Sequence, residues 1–350
     1  MRRMSRWGAL ALAVVVCAAA ILPLRGVQAA VRPTVVEFAR KVGFDAGQIA
    51  ALERGEIVAR VLKAEMVAAN DTAEVAVVGI VKVDAPREAF LDAAKDVDRF
   101  RNVRHIRIGL VHNPPQASDF AGIVMPPDDV ADLKACRPGK CALKLAGPGL
   151  AELQAKIDWK AKDSGEQVNR FVRERLFAAM TAYMQQGTAA FKPMEDKSAG
   201  ISLDEQFKLL LANTGNLIAY YPELATYLRD YPNAKLASSS DLFYWSLNDF
   251  SLKPTVTMTH VVSYIPPGTG DAIVAWKQLY ASHYFNGGLA VTTYAKDPTA
   301  TYVLHVDRVR ADSLGGAFGG VKRSKMAGAM KGAVEDFLKK AKENLLSRAK

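Results

Sequence analysis

Cysteine is nearly absent from this chain of 350 residues, which has three: Cys17, Cys136 and Cys141. No Cys-x-x-Cys pair occurs, and the five histidines are scattered with no His-Glu-x-x-His among them, so a metal centre finds no ligand set. Neither a metal nor a cofactor is expected. The Gly-x-Ser-x-Gly elbow of the serine hydrolases is missing too. GGAFGGVKRS places Gly315 and Gly320 at phosphate-loop spacing, but Val321 stands where a lysine must follow directly. That stretch reads as a strand-to-helix joint with Phe318 as its apolar anchor, and an anion site at the start of the next helix stays open. Low-complexity tracts and repeats are also lacking.

What is present first concerns the compartment. MRRMSR is a basic leader, WGALALAVVVCAAAILPL an apolar run, and Val27 with Ala29 a small-residue cleavage site, so residues 1–29 read as a secretory signal peptide. An uncleaved anchor is the alternative, because the run approaches the roughly 18 residues that span a bilayer. Cleavage removes four arginines and no acid, which lowers the formal charge from +10 to +6. For a basic exported protein, periplasmic or extracellular, the natural electrostatic partner is an anionic membrane face rather than nucleic acid. A solvated face of a terminal helix explains the same lysines. Two cysteines are left, Cys136 and Cys141 in CRPGKC, and an exported chain predicts a local disulfide across that Pro-Gly turn.

Along the chain, residues 30–54 read as short helices. Residues 55–147 hold a strand hairpin (EIVARVLKAE, EVAVVGIVKV), a helix starting at Pro86, and three short strands in VRHIRIGLV, DFAGIVM and CALKL. Residues 148–235 are a helical block, with Ser202 and Glu205 at capping-box spacing. Residues 236–350 carry an antiparallel meander and a long basic helix. In TVTMTHVVSY, Val256, Met258, His260, Val262 and Tyr264 share one face. Half the chain is apolar, enough for a sizeable core.

The run GEIVARVLKAE…EVAVVGIVKVDAPREAFLDAAKDVDRF, with its Ala-Pro-started helix and the ending Asp96, Val97 and Phe100, resembles the START-like (Bet v 1-like, SRPBCC) helix-grip superfamily over about 55–125 and 241–345. The resemblance implies an α+β fold, an antiparallel sheet curved around a long C-terminal helix, here with an inserted helical block that departs from the compact pattern. It also implies a carrier for a lipid or other apolar small molecule held between sheet and helix, with the loop at 313–320 as a gate.

Residues for such a site are read from the strands. WKQLYASHYFNGGLAV puts Trp276, Tyr280 and Tyr284 in one alternating row and Lys277 and His283 in the opposite one, so Ser282 and His283 cannot face each other. The expected ligand-binding set is Met258, His260, Tyr264, Trp276, Tyr280, Tyr284 and Arg308, with no catalytic residue assigned. An ordinary mixed core explains the aromatic row equally well, and an ion-paired sheet edge explains Arg308 and Arg310 beside Asp312. Two other functions stay open. One is a cyclase or aromatase using His260, Tyr264, Tyr280 and Arg308. The other is an envelope interaction module docking through Tyr220, Tyr221, Tyr227 and Tyr231.

Overall fold

The computed structural model describes residues 32–63, 72–100, 105–197, 200–250, 252–312, 314 and 318–348. Residues 1–29, read above as a signal peptide, and half of the 313–320 loop (313 and 315–317) lie outside these residues.

The N-terminal segment forms α1 (Val35–Lys41) and α2 (Ala46–Glu53), each opened by a full capping box, Thr34 with Glu37 and Asp45 with Gln48. Then follow β1 (Val58–Leu62), β2 (Ala73–Val83), α3 (Arg87–Lys95), α4 (Val97–Phe100) and β3 (His105–Val111). Next comes α5 (Pro127–Ala135), and the helical block contains α6 (Gly147–Lys156), α7 (Ser164–Gln186), α8 (Leu203–Asn213), α9 (Gly215–Ile218) and α10 (Pro222–Asp230). The meander is β4 (Ser239–Asn248), β5 (Thr255–Tyr264), β6 (Ala272–Ala281), β7 (Phe285–Lys296) and β8 (Thr301–Ala311), and α11 (Gly319–Arg348) ends the chain. The expected capping at Ser202 is in place, its hydroxyl accepting from the Glu205 amide at 3.3 Å.

All eight strands form one antiparallel sheet in the order β1-β2-β8-β7-β6-β5-β4-β3. Both of its faces are covered, so its central strands are buried almost throughout and lose the apolar–polar alternation of a half-solvated sheet. On one face lie α3, α4 and α11, where Phe90, Phe100, Phe337 and Leu338 pack on Val77, Val81, Trp276 and Tyr294. The approach of α11 to β2 depends on Gly79: a Cβ there would meet Val334 at 2.5 Å and Leu338 at 2.7 Å. The helical block and α1–α2 share the other face, with Phe171, Leu176, Tyr183 and Phe207 in one cluster with Met258, Val262 and Leu289.

Two expected strands are absent. DFAGIVM begins with a 3-10 turn at Ala117–Phe120 and then runs irregularly, tied to α7 by the Met125 amide on Asn169 (2.8 Å) and by Arg173 on the Ile123 carbonyl (2.8 Å). CALKL is a connector whose Lys144 amide donates to the Ser282 carbonyl. Both are apolar because they plug the layer beneath α7, a role that needs burial but no ladder. Between them α5 was not anticipated, although Pro127 at its first turn followed by Asp128 and Asp129 is a helix-start signature.

Candidate functional site

A cavity of about 250 Å³ lies between the sheet and the helical block. Its buried end is formed by Val256 and Met258 of β5, Tyr280 of β6, and Leu133 and Met125, and its roof by Phe171, Val172 and Leu176 of α7. The remaining wall is the 143–148 connector and residues 190–194. The rim holds Ala178 and Lys192, both exposed, and half-buried Arg175. A cavity of about 150 Å³ accepts a benzene-sized guest, so this one has room for roughly ten non-hydrogen atoms.

The connector is fixed at its start by the disulfide Cys136–Cys141, as its sequence predicted. The Cys141 amide then donates to the Asp196 carbonyl, and the Glu195 amide to that of Leu145. Replacing both cysteines by serine is expected to lower stability by about 2 kcal/mol, the chain-entropy value for so short a loop. Urea denaturation checks this, and an unchanged midpoint would refute it.

Lys144 contributes to the wall, but its ammonium turns away from it. Nζ donates to Asn286 Oδ1 at 2.6 Å and to the Asp312 carboxylate, with Asp196 at 3.6 Å. Burial and nearby Asp312 push the Asp196 carboxyl up, against the pull of Lys144.

The seven residues expected in one site are dispersed over both faces of the sheet. Met258 and Tyr280 line the cavity. Trp276 is on the opposite face, stacked on Phe100 with ring centroids 5.6 Å apart. The reason is a β-bulge: Gln278 pairs with Thr259 but Tyr280 pairs with Met258, so Leu279 is an extra residue and the alternation reverses there. Tyr284, at φ +60°, occupies the turn after β6, and its hydroxyl accepts from the Lys253 amide at 3.0 Å. Tyr264 donates to Glu223 at 2.6 Å, and Tyr280 to the Lys144 carbonyl at 3.0 Å. Arg308 is buried and pairs with Glu74, not with Asp312, and β8 lies inside the sheet rather than at its edge. The layer between sheet and α11, where the resemblance implies the ligand, is filled by Phe100, Trp276, Phe337 and Leu338.

His260 belongs to a hydrogen-bonded row, running from buried Tyr183 to exposed Asp241, that sequence reading did not assemble. Tyr183 donates to His260 Nδ1 (2.8 Å), His260 Nε2 donates to Asp241 Oδ1 (2.8 Å), and Tyr227 donates to Asp241 Oδ2 (2.7 Å). The carboxylate only accepts, and this fixes the tautomer. Burial lowers the His260 pKa against the pull of Asp241, and raises that of Tyr183, so both ends of the bond stay neutral. Beside them is Lys277, fully buried. Its amine sits 3.9 Å over the Phe207 ring and 5.4 Å from the Tyr183 ring, and donates to the Leu228 carbonyl at 2.8 Å. Burial drives the Lys277 pKa down to about 7, with Asp204 and Asp230 opposing. His283, read on the row opposite Ser282, pairs with buried Asp129 at 3.0 Å, while the Ser282 hydroxyl accepts from the Val256 amide.

No protein-family model matches the chain, and no curated protein matches it. Among solved structures it is similar to the crystal structure of TTHA0849 from Thermus thermophilus, at 13% identity, over 43% of this chain and 93% of that one, with a TM-score of 0.24. A likeness of that size carries no argument here.

Proposed function

We propose that this protein is an exported binding or carrier protein that holds an apolar or amphipathic small molecule between α7 and the β5–β6 face of the sheet. The observation that carries the reading is the 250 Å³ cavity, whose buried end is Leu133, Met125, Val256, Met258 and the Tyr280 ring. An apolar space with few polar groups is the usual form of a small-molecule site. The eight-stranded sheet with its long C-terminal helix supports the START-like resemblance, while the cavity falls on the side of the inserted block. The disulfide supports an oxidising compartment. The first half of α11 supports contact with an anionic membrane, since Lys322, Arg323, Lys325 and Lys331 precede its first acid, Glu335.

Neither rival function gains a matching feature. His260, Tyr264 and Tyr280 hydrogen-bond to internal partners, and Arg308 is buried in an ion pair with Glu74. Of the four tyrosines suggested for docking, Tyr221, Tyr227 and Tyr231 are buried, and Tyr221 donates to Asp271 at 2.8 Å.

The test is native mass spectrometry of mildly purified protein, with extraction of bound species, beside an Ala179→Trp variant that fills the cavity from α7. A recurring stoichiometric apolar species in the wild type, lost in the variant, is the expected result. A clean apo mass with no uptake from a lipid extract would overturn the reading.

A further inference from the structure

The charged residues that line the cavity are of one sign. Its lining contains Lys144, Arg175 and Lys192 and no aspartate or glutamate among the described residues. The Lys144 ammonium is committed to Asp312 and Asn286 on the far side of the wall. The two others stand at the rim, above an apolar interior. Arg175 uses Nη1 on Glu152 Oε2 at 2.9 Å, an arrangement with its side chain 41% exposed, while Nη2 lies over Gly149. Lys192 is exposed and makes no ion pair among the described residues. An apolar blind end and a cationic mouth together define a guest with two unlike ends.

Building on the binding reading above, we infer that the ligand is an anionic amphiphile, with a tail of roughly eight to ten carbons in the cavity and an acidic head held at the rim by Lys192 and Arg175. A carboxylate suits the guanidinium, which offers two parallel N–H donors, and a lysine ammonium serves as the second, point-like charge. The Glu152 pair is surface-exposed and therefore weak, so an incoming head group displaces it at small cost. Tail length is limited by the cavity: a long-chain acid leaves part of its chain in water. A phosphate or sulfate head meets the same two cations, and the choice among these acids is made by the experiment.

The experiment is isothermal titration of the mature protein with decanoate, decyl phosphate, 1-decanol and decyltrimethylammonium at low salt, repeated on Lys192→Gln and on Lys192→Gln with Arg175→Gln. The expected result is that at least one anion binds about tenfold or more tighter than decanol, which shares its tail, and the cation weakest of all. The double variant should bring the anions down to the decanol affinity and leave decanol itself unchanged, which also reports that the cavity is still folded. The better anion then identifies the head group. Decanol binding as tightly as both anions would overturn the charge assignment and leave the binding reading standing. The same holds if the double variant keeps the preference. Failure of every decyl compound to bind the wild type would overturn the binding reading itself.

Discussion

Lys277→Met stabilises the protein at pH 6 and slightly destabilises it at pH 10.5. The sign follows from linkage. In the unfolded chain this lysine has its ordinary pKa, near 10.5, and in the fold burial lowers it to about 7. Between those values the unfolded chain binds the extra proton, so stability rises with pH across that window. Below pH 7 the amine is charged in both states, and the fold lacks roughly 4 to 5 kcal/mol relative to a neutral side chain. Methionine removes that deficit at similar length. It also strips the Leu228 carbonyl, near the C-terminal end of α10, of its donor, at a cost of about 1–3 kcal/mol. The net gain at pH 6 is about 1–4 kcal/mol, and at pH 10.5 only the lost hydrogen bond shows. The groups facing the amine are Asp204, Asp230, His260 and the Tyr183 and Phe207 rings. Of these, His260 stays neutral over the whole window. Urea denaturation of both proteins from pH 6 to 10.5 measures it, and parallel stability curves would show that burial leaves the Lys277 pKa at its ordinary value in the fold.

Glu74→Ala has the opposite outcome and is expected to remove about 3–5 kcal/mol. The Glu74 carboxylate is fully buried in β2, with Arg308 on one oxygen at 2.5 Å, Asn213 on the other at 2.6 Å, and Arg310 at 3.9 Å. One carboxylate thus compensates two buried guanidinium groups, and burial already lowers the pKa of Arg310. Arg308 Nε and Arg310 Nη1 have no hydrogen-bond partner among the described residues. Removing Glu74 leaves two charges with no counter-ion, which costs more than the pair ever contributed. It also releases α8, because Asn213 and Gln206, the partner of Arg310 at 2.5 Å, both belong to that helix. Combining Glu74→Ala with Arg308→Met and Arg310→Met should recover most of the loss. A single variant within about 1 kcal/mol of wild type in urea would rule out the buried-charge account.

These clusters show where sequence reading stops. Elements with strong local signals were legible: the capped helices, the β5 pattern from Val256 to Tyr264, the long final helix and the cysteine pair. Arg308 and Arg310 were readable as one face of a strand. Their partner was not, because Glu74 is more than 230 positions away and is brought opposite only by the β2–β8 ladder. The alternation that grouped Trp276 with Tyr280 was sound up to Gln278. It failed at Leu279 because a bulge has no signature in a period of two. Tyr183 and His260 come from different layers, so no spacing rule joins them. The cavity itself is made from six discontinuous stretches, and only the apolar repeat of α7 at Val168, Phe171, Val172, Leu176 and Met180 hinted at a buried face.

The hydrogen bonds along α7 also constrain how anything reaches the cavity. Near its start, Asn169 and Arg173 bind the backbone at Met125 and Ile123. Near its end, Tyr183 binds His260. The helix is thus a beam pinned at both ends, and lifting it breaks three hydrogen bonds, each worth roughly 1 kcal/mol or more with the groups buried. The stretch from Ala190 to Lys192 is held by fewer ties, the Phe191 amide on the Thr188 carbonyl being its backbone bond. On the binding reading proposed above, a guest that passes Lys192 breaks fewer hydrogen bonds than one that lifts α7, so exchange would follow that short stretch and not the helix above it.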